Sequence, residues 1–246
     1  MMKKNATVRH VSVIIPALNE RKWIGQAIHT VRTDPAVREV IVADGGSSDG
    51  TRELAADAGA RVIRHDLPID AGGGRGGQIQ AGIASATGDV VAIVHADTVI
   101  SRPAFSMMLQ VLRRNPDVVG GAYGCRFDSE DFRFRFIEWA NAARVRLTGI
   151  AFGDQVQFFR REPVARCNLF PGIPLMEDVE FSLRLKRTGR TIYLSGDARV
   201  SPRCWSRRGF SHSLTVIHLF SVYMIRRIWK TPDVAAMYRQ YYGGSP

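Results

Sequence analysis

Val90-Val-Ala-Ile-Val94, followed at once by His95-Ala-Asp-Thr98, decides the fold. A short run this apolar and this rich in β-branched residues suits a strand buried on both faces, at the centre of a sheet. The same grammar repeats toward the N-terminus. Val11-Ser-Val-Ile-Ile15 and Glu39-Val-Ile-Val-Ala43 read as buried strands, and Arg61-Val-Ile-Arg64 as a short third one. Helical stretches separate them. Asn19 can cap a first helix carrying Trp23, Ile24, Ala27, Ile28 and Val31 on one face. Ser47 or Ser48 can cap a second, through Thr51, Leu54, Ala55 and Ala58, that stops at Gly59. A third over 76–86 turns Ile79, Ile83 and Ala84 inward, and a fourth over 103–113 has Pro103 in its first turn. Strands alternating with helices of this length form βαβ units, hence an α/β protein with a mainly parallel sheet.

Beyond a strand over 118–126 the pattern changes. The spacing predicts an amphipathic helix over 131–146 through Phe132, Phe136, Trp139 and Ala143, a strand over 154–160, a helix over 177–188 and a strand over 191–194. A mostly apolar helix follows over 209–229. There is no internal repeat and no long linker. The chain divides into one domain over 1–200 and a basic, apolar helical extension over 201–246 that is not a domain of its own.

Composition bounds the function. The chain has 246 residues, 45% of them hydrophobic, enough for a real core and too many for long disorder. Its Cys125, Cys167 and Cys204 are odd in number and far apart, which suits a reducing compartment and excludes a CxxC metal site. Residues 1–10 lack the apolar core of a signal peptide, so a cytoplasmic protein is expected. The net charge of +11 calls for an anionic partner: nucleic acid, a membrane surface or a phosphorylated molecule.

In a parallel α/β sheet, ligands bind beyond the carboxyl ends of the strands, and the unusual residues sit there. The first strand ends in Pro16-Ala-Leu-Asn-Glu20, the second in Asp44-Gly-Gly-Ser-Ser-Asp-Gly-Thr51, and the third leads to Gly72-Gly-Gly-Arg-Gly-Gly77. Taken alone, Asp44-Gly-Gly-Ser is a turn and a cap. The glycine run lacks the GK[ST] ending of a P-loop, yet its backbone, Arg75 and the next helix N-terminus could cradle a phosphate. Asp97 either caps a turn or holds Mg²⁺ or Mn²⁺, ions that take oxygen ligands and share them with phosphates. His95 lies on the same side as Asp97, and on its own is a structural histidine. Glu177-Asp178 is either an acidic first turn favoured by the helix dipole or the position of a general base.

Val13-Ile-Ile-Pro-Ala-Leu-Asn-Glu20, Val42-Ala-Asp-Gly-Gly-Ser-Ser-Asp-Gly-Thr51, Gly74-Arg-Gly-Gly-Gln78, His95-Ala-Asp97 and Met176-Glu-Asp178 stand in an order and spacing that resemble the family 2 glycosyltransferases. The resemblance covers roughly residues 10–195 and implies a GT-A fold: a Rossmann-like, mainly parallel sheet flanked by helices, here with a C-terminal helical appendage. It implies a nucleotide-diphospho-sugar donor, carrying uridine or guanosine, and an acceptor hydroxyl on a lipid carrier, a glycan or a small molecule. It places Pro16, Ala17, Glu20, Asp44 and Gly45 around the nucleoside, Arg75 near the diphosphate, and His95, Ala96 and Asp97 at the Asp-x-Asp motif. Asp97 would be the metal ligand, with Mn²⁺ or Mg²⁺ as the ion. His95, a second possible ligand, replaces the motif's first Asp, a form similar to that of a bacterial subgroup. Asp178 would be the base, with Glu177 beside it, and Gly153, Asp154 and Gln155 would line the acceptor side. The reaction implied is an inverting, single transfer, since no clear Gln-x-x-Arg-Trp motif of processive synthases is present, although Arg203-Cys-Trp205 and Arg207-Arg208 stand in that region.

Two other classes compete. A nucleotidyltransferase acting on a sugar phosphate would carry a Gly-rich loop with a Lys where Pro16-Ala-Leu-Asn19 stands. A non-enzymatic basic nucleic-acid- or membrane-binding protein would explain the charge alone, but no nucleic-acid motif occurs, so no nucleic-acid partner is expected. The excess charge lies over 199–230, with Arg199, Arg203, Arg207, Arg208, Arg226, Arg227 and Lys230 and no acid. The apolar run 210–225 within it could meet the inner face of a membrane peripherally, a partner subunit in a homodimer, or the chain's own core.

Overall fold

The computed structural model describes residues 8–100, 103–201, 203, 211–229 and 232–242. Its sheet grows from β1 (Val11–Ala17), which pairs in parallel with β2 (Val37–Asp44) on one side and β4 (Val90–Ile93) on the other. Strand β3 (Arg61–Arg64) adds in parallel to β2. Beyond β4 come β7 (Gln157–Arg160), β6 (Val118–Phe127), β8 (Arg190–Val200) and β5 (Thr98–Ile100), in the overall order β3-β2-β1-β4-β7-β6-β8-β5. The β1–β4 half is wholly parallel. Antiparallel pairings enter only through β7 and β5, while β6 and β8 run parallel. The Val90 strand is central, as its composition predicts.

Period-2 alternation sorts the strand residues to two cores. Val11, Val13 and Ile15 of β1, with Val90 and Ala92 of β4, pack against α1 (Arg21–Arg32), α2 (Thr51–Asp57) and α4 (Ala104–Arg114). Ile14, Val91 and Ile93 face the other way, onto α3 (Arg75–Ser85), α6 (Arg161–Arg166) and α7 (Glu177–Leu185). Both faces of the sheet are therefore covered by helices, the arrangement of a GT-A-like α/β fold. The C-terminal helices α8 (Ser211–Trp229) and α9 (Val234–Tyr242) close over a further cluster, Leu219, Tyr223 and Met237 meeting Ile150, Leu175, Met176 and Val179.

Several local expectations change. Asn19 and Ser47 do not cap helices. Asn19, at φ +54°, donates its backbone N–H to Ser47 Oγ at 2.9 Å and accepts from the Ser48 N–H at 3.0 Å, so the two stitch neighbouring loops together. Strand 154–160 shortens to Gln157–Arg160, because residues 153–155 are held in a turn by Asp178 and Arg144. Strand 191–194 extends to Val200, pairing along β6 and then β5. The helix over 131–146 forms as α5 (Phe132–Thr148), but its expected inner face is its outer one: Phe134, Asn141 and Val145 are buried, while Phe132, Phe136 and Trp139 face solvent. Strand β5 and helix α6 have no counterpart in the sequence reading, and α9 falls within the helical extension expected over 201–246. Cys204, Trp205, Arg207, Arg208 and Lys230 lie outside the described residues. No helix among the described residues is long and apolar enough to cross a membrane.

Candidate functional site

The carboxyl ends of β1, β2 and β4 lie side by side because the register pairs Ala17 with Asp44 and runs β4 parallel to β1. Asp44 is fully buried at the end of β2. Its Oδ2 accepts from the backbone N–H groups of Gly46 and Ser47, at 2.9 and 3.0 Å, and its Oδ1 has no hydrogen-bond partner among the described residues. A buried carboxylate oxygen left unpaired is costly, so it marks a place where a donor can be received. Gly45 next to it has no room for a side chain: a Cβ there would lie 2.0 Å from Gln78 Nε2, which itself donates to the Ala17 carbonyl at 3.2 Å. Pro16 and Ala17 complete this floor.

The glycine run is required by close packing as much as by approach to an anion. A Cβ on Gly76 would lie 2.1 Å from the Ile173 carbonyl oxygen, so α3 starts against the 170–174 loop. Arg75, its first residue, crosses to the N-terminus of α7. Its Nε donates to Glu177 Oε1, and its other arm lies 3.8 Å from Asp178 Oδ2. Met176, at φ +60°, is a non-glycine residue in the left-handed region and turns the chain so that Glu177 and Asp178 both face this cleft. Asp178 Oδ2 accepts from the Gly153 N–H at 2.6 Å. Burial pushes the Glu177 carboxyl up to about 7, against the pull of Arg75, and its Oε2 is buried without a partner among the described residues. Arg75 is held well above its ordinary value: burial works against the charge, but Glu177 and Asp178 outweigh it.

His95 and Asp97 occupy the tight turn after β4, closed by the Thr98 N–H donating to the His95 carbonyl at 3.0 Å, with Ala96 buried between them. His95 stands against Gly153, where a Cβ would lie 3.0 Å from the imidazole and 3.3 Å from the Arg75 guanidinium carbon. Burial, then Arg75 and Arg203, push His95 down to about 3, so its ring is neutral. Asp97 Oδ2 accepts from Arg203 Nε at 2.8 Å, and the two terminal nitrogens of Arg203 form a fork with Glu20 at 2.7 and 2.6 Å.

Thus the structure joins Arg75, His95, Gly153, Glu177 and Asp178 in one group. Arg203 ties Glu20 and Asp97 into a second group beside it, and Pro16, Ala17, Asp44 and Gly45 form the floor. Asp154 and Gln155 instead turn toward α5. Asp154 Oδ2 faces Asn141 Nδ2 at 3.4 Å, and burial pushes its carboxyl up despite Arg144. Gln155 Oε1 accepts from Arg144 at 2.7 Å. Arg203 is the residue whose place in the site motif reading misses. The sequence marks it only as part of Arg203-Cys-Trp205 in the basic stretch after β8, with nothing that ties it to Glu20 or Asp97.

In this structure the Glu20 and Asp97 carboxylates are both neutralised by the Arg203 guanidinium. Mg²⁺ or Mn²⁺ typically uses one or two carboxylates and completes its shell with phosphate and water. Asp97 offers one such carboxylate, which an ion would have to share with Arg203. No group of three or more metal-ligating side chains exists among the described residues, so the remaining ligands would come from elsewhere.

Comparison with known proteins follows this geometry. The family model described as Glycosyl transferase family 2 matches residues 12–168. Glucosyl-3-phosphoglycerate synthase of Mycolicibacterium smegmatis is 37% identical over 102 residues, 39% of this chain and 34% of that protein. The matched stretch thus spans about a third of the length of these curated relatives. Protein RfbJ of Shigella flexneri is 30% identical over 123 residues, covering 50% of this chain and 89% of that protein. Among solved structures, a mannosyltransferase from Pyrobaculum calidifontis in complex with GDP-Man and Mn²⁺ is similar with a TM-score of 0.64, at 20% identity, over 95% of this chain and 68% of that one. Glucosyl-3-phosphoglycerate synthase from Mycobacterium tuberculosis, in complex with Mn²⁺, UDP and glucosyl-3-phosphoglycerate, gives 0.54 at 22% identity, over 77% of this chain and 70% of that one. With the family model covering more than half of the sequence, the chain belongs to glycosyl transferase family 2.

Proposed function

We propose that the chain transfers a sugar from a nucleotide-diphospho-sugar to an acceptor hydroxyl, in a single transfer with inversion at the anomeric carbon. The observation that carries this reading is the junction of Arg75 with Glu177 and Asp178. Arg75 donates to Glu177, 102 residues away in sequence, and lies 3.8 Å from Asp178, which would set a cation for the diphosphate beside a base for the acceptor. The similar proteins crystallised with UDP or GDP-Man and Mn²⁺ support the donor class and the ion. Asp97 would hold a divalent cation, which when bound would supply positive charge against the leaving diphosphate. Asp44, through its unpaired Oδ1, receives a donor from the nucleoside, with Pro16, Ala17 and Gly45 shaping the floor and Glu20 at its edge. Arg75 stabilises the diphosphate as charge grows on it. Neutral His95 and Gly153 wall the place where the sugar sits. Asp178, aligned by the Gly153 N–H, takes the hydroxyl proton as the acceptor attacks from the opposite face, and Glu177 keeps Arg75 in place. Attack from that face converts an α-linked donor to a β-linked product.

The acceptor is lipid-linked, a glycan or a small molecule such as the phosphoglyceric acid bound by a similar structure. Residues 201–246 act with the catalytic domain over 1–200 rather than apart from it. The 199–230 stretch, through the exposed face of α8, makes a peripheral membrane contact on the inner face of the cell membrane.

Asp178→Asn tests the reading. Donor-induced thermal stabilisation should persist, while transfer falls at least about a hundredfold. Near-wild-type turnover would refute the assignment of the base. Asp97→Ala should abolish the difference between calorimetric donor titrations with Mn²⁺ and with chelator. A difference that survives the substitution would refute the metal ligand.

A further inference from the structure

Arg203 touches three parts of the chain at once. Its Nε donates to Asp97 Oδ2 at 2.8 Å, and its two terminal nitrogens donate to the two oxygens of Glu20 at 2.7 and 2.6 Å. Its guanidinium also stands 5.8 Å from the centroid of the Trp23 ring. The main chain beside it is anchored separately, the Ser201 N–H donating to the Asp97 carbonyl at 3.3 Å. The side chain can therefore change partners while its backbone stays at the site. There is room to do so, because Arg203 lines a cleft of about 790 Å³ together with Asn19, Trp23 and Gly50.

Charge makes this contact conditional. Two carboxylates against one guanidinium leave a negative charge in excess. A divalent ion at Asp97 would lie close to that guanidinium, two unit charges against one, at a separation that salt does not screen. Arg203 on Asp97 and an ion on Asp97 are thus alternatives. A guanidinium released from both carboxylates needs another anion, and its planar fork of donors suits a phosphate as well as a carboxylate. His95 marks where that anion would lie. Burial, then Arg75 and Arg203, push its ring down to about 3, so both arginines act on the one imidazole. A diphosphate lying between Arg75 and Asp97 would be within reach of both.

We infer that Arg203 is an exchangeable counter-charge: it pairs Asp97 with Glu20 in one arrangement, and binds the diphosphate of the donor in the other, once a divalent cation takes Asp97. One side chain then links two ligands. The diphosphate offers the guanidinium a new partner and so makes room for the ion. Such coupling is reciprocal, so the ion raises affinity for the diphosphate by the same factor. Direct contact between ion and phosphate couples them too; the share due to Arg203 is what disappears when its charge is removed. The diphosphate half of the exchange rests on the transfer reading above; the competition for Asp97 does not.

Isothermal titration of the full chain measures the exchange. Mn²⁺ is titrated alone, with saturating UDP and with saturating GDP, into the parent, Arg203→Gln and Arg203→Lys. Arg203→Gln should bind Mn²⁺ alone about tenfold more tightly, while the factor by which the nucleotide raises Mn²⁺ affinity falls at least about fivefold. Lysine keeps the charge but not the fork. Arg203→Lys should therefore also gain Mn²⁺ affinity, yet keep more of the coupling than Arg203→Gln. It retains a cation beside the two carboxylates, so it carries the test if Arg203→Gln is too unstable by circular dichroism. An arginine that only braces the fold would lower every affinity together or change none. Either result, or unchanged coupling in both variants, overturns the inference. Nucleotide binding with unchanged coupling would leave the transfer reading standing. If neither nucleotide binds the parent, the transfer reading fails and the exchange is overturned with it, even where the variants gain Mn²⁺.

Discussion

Arg203 holds two carboxylates that would otherwise face each other without a cation. Its guanidinium is only partly exposed, at 28%, and bonds both Glu20 and Asp97. Arg203→Gln leaves those carboxylates unneutralised. Hydrogen bonds to charged groups are worth about 1.5–3 kcal/mol each, reduced here by partial exposure, so the loss should be about 2 kcal/mol, a fall in Tm of roughly 4–8 °C for a chain of this size. Mn²⁺ should restore more of the Tm in the variant than it adds to the parent, because the ion then meets no competing guanidinium. Equal Mn²⁺ gains in scanning calorimetry would show that the arginine and the ion do not share the place. Residue by residue, much of the site was legible. Asp44, Arg75, Asp97 and Asp178 all stand next to strand ends or helix starts, and chemistry at such places follows from the order of elements. Arg203 was not legible, because its reach depends on β8 continuing from Leu194 to Val200 and pairing with β5. No local pattern encodes that. The inward turn of Asp154 and Gln155 likewise depends on Arg144, presented by another element.

At the scale of elements, α7 shows how one acidic turn divides its work. Glu177 and Asp178 face the cleft, while Glu180 points away and anchors α8. It accepts from Arg227 at 2.6 Å, Tyr223 at 2.9 Å and Arg184 at 2.9 Å. Burial opposes its charge, but these hydrogen bonds hold its carboxyl down to about 2 from an ordinary 4.5. A carboxyl depressed in the folded state contributes stability above its unfolded value, and that contribution is lost as pH falls. Glu180→Gln should therefore cost about 2 kcal/mol at pH 7. The cost should shrink between pH 4.5 and 2 and vanish below. Denaturant melts at several pH values check this, and a pH-independent difference would mean that charge is not what anchors α8. The helix dipole explanation for the acidic turn was sound for its sign but could not assign directions. The same limit reversed α5. Its residues offer two apolar faces, and Asn141 and Arg144 make the buried one look polar. They turn inward, Asn141 buried and Arg144 half-buried, because they bond Asp154 and Gln155, partners thirteen and eleven residues on. Periodicity finds a helix; partners choose which face it buries.

For the whole molecule, the alternation of strand and helix through residue 94 determined the parallel half of the sheet, since right-handed crossovers leave few other arrangements. The β7-β6-β8-β5 half depends on pairings between distant segments, and β7 and β5, at four and three residues, are too short to carry a periodic signature. What the sequence stated plainly was the charge. At +11, with Lys+Arg 34 against Asp+Glu 23, the folded chain repels itself over distances comparable to its own radius. Added salt shortens the Debye length, from about 30 Å at 0.01 M to about 10 Å at 0.1 M, and relieves that repulsion. It also screens exposed pairs such as Arg64–Asp66, Arg166–Glu162 and Arg190–Asp117, but such pairs are worth only about 0–1 kcal/mol each. The buried and forked contacts of Arg75 and Arg203 are screened far less. Net repulsion should therefore dominate, and Tm should rise as sodium chloride goes from about 0.01 M to about 0.1 M. The same salt should weaken adsorption to anionic vesicles, because there the charge attracts. A Tm that falls over this range would show that the exposed pairs outweigh the net charge, and the excess of arginine would then serve the folded state itself rather than an anionic partner.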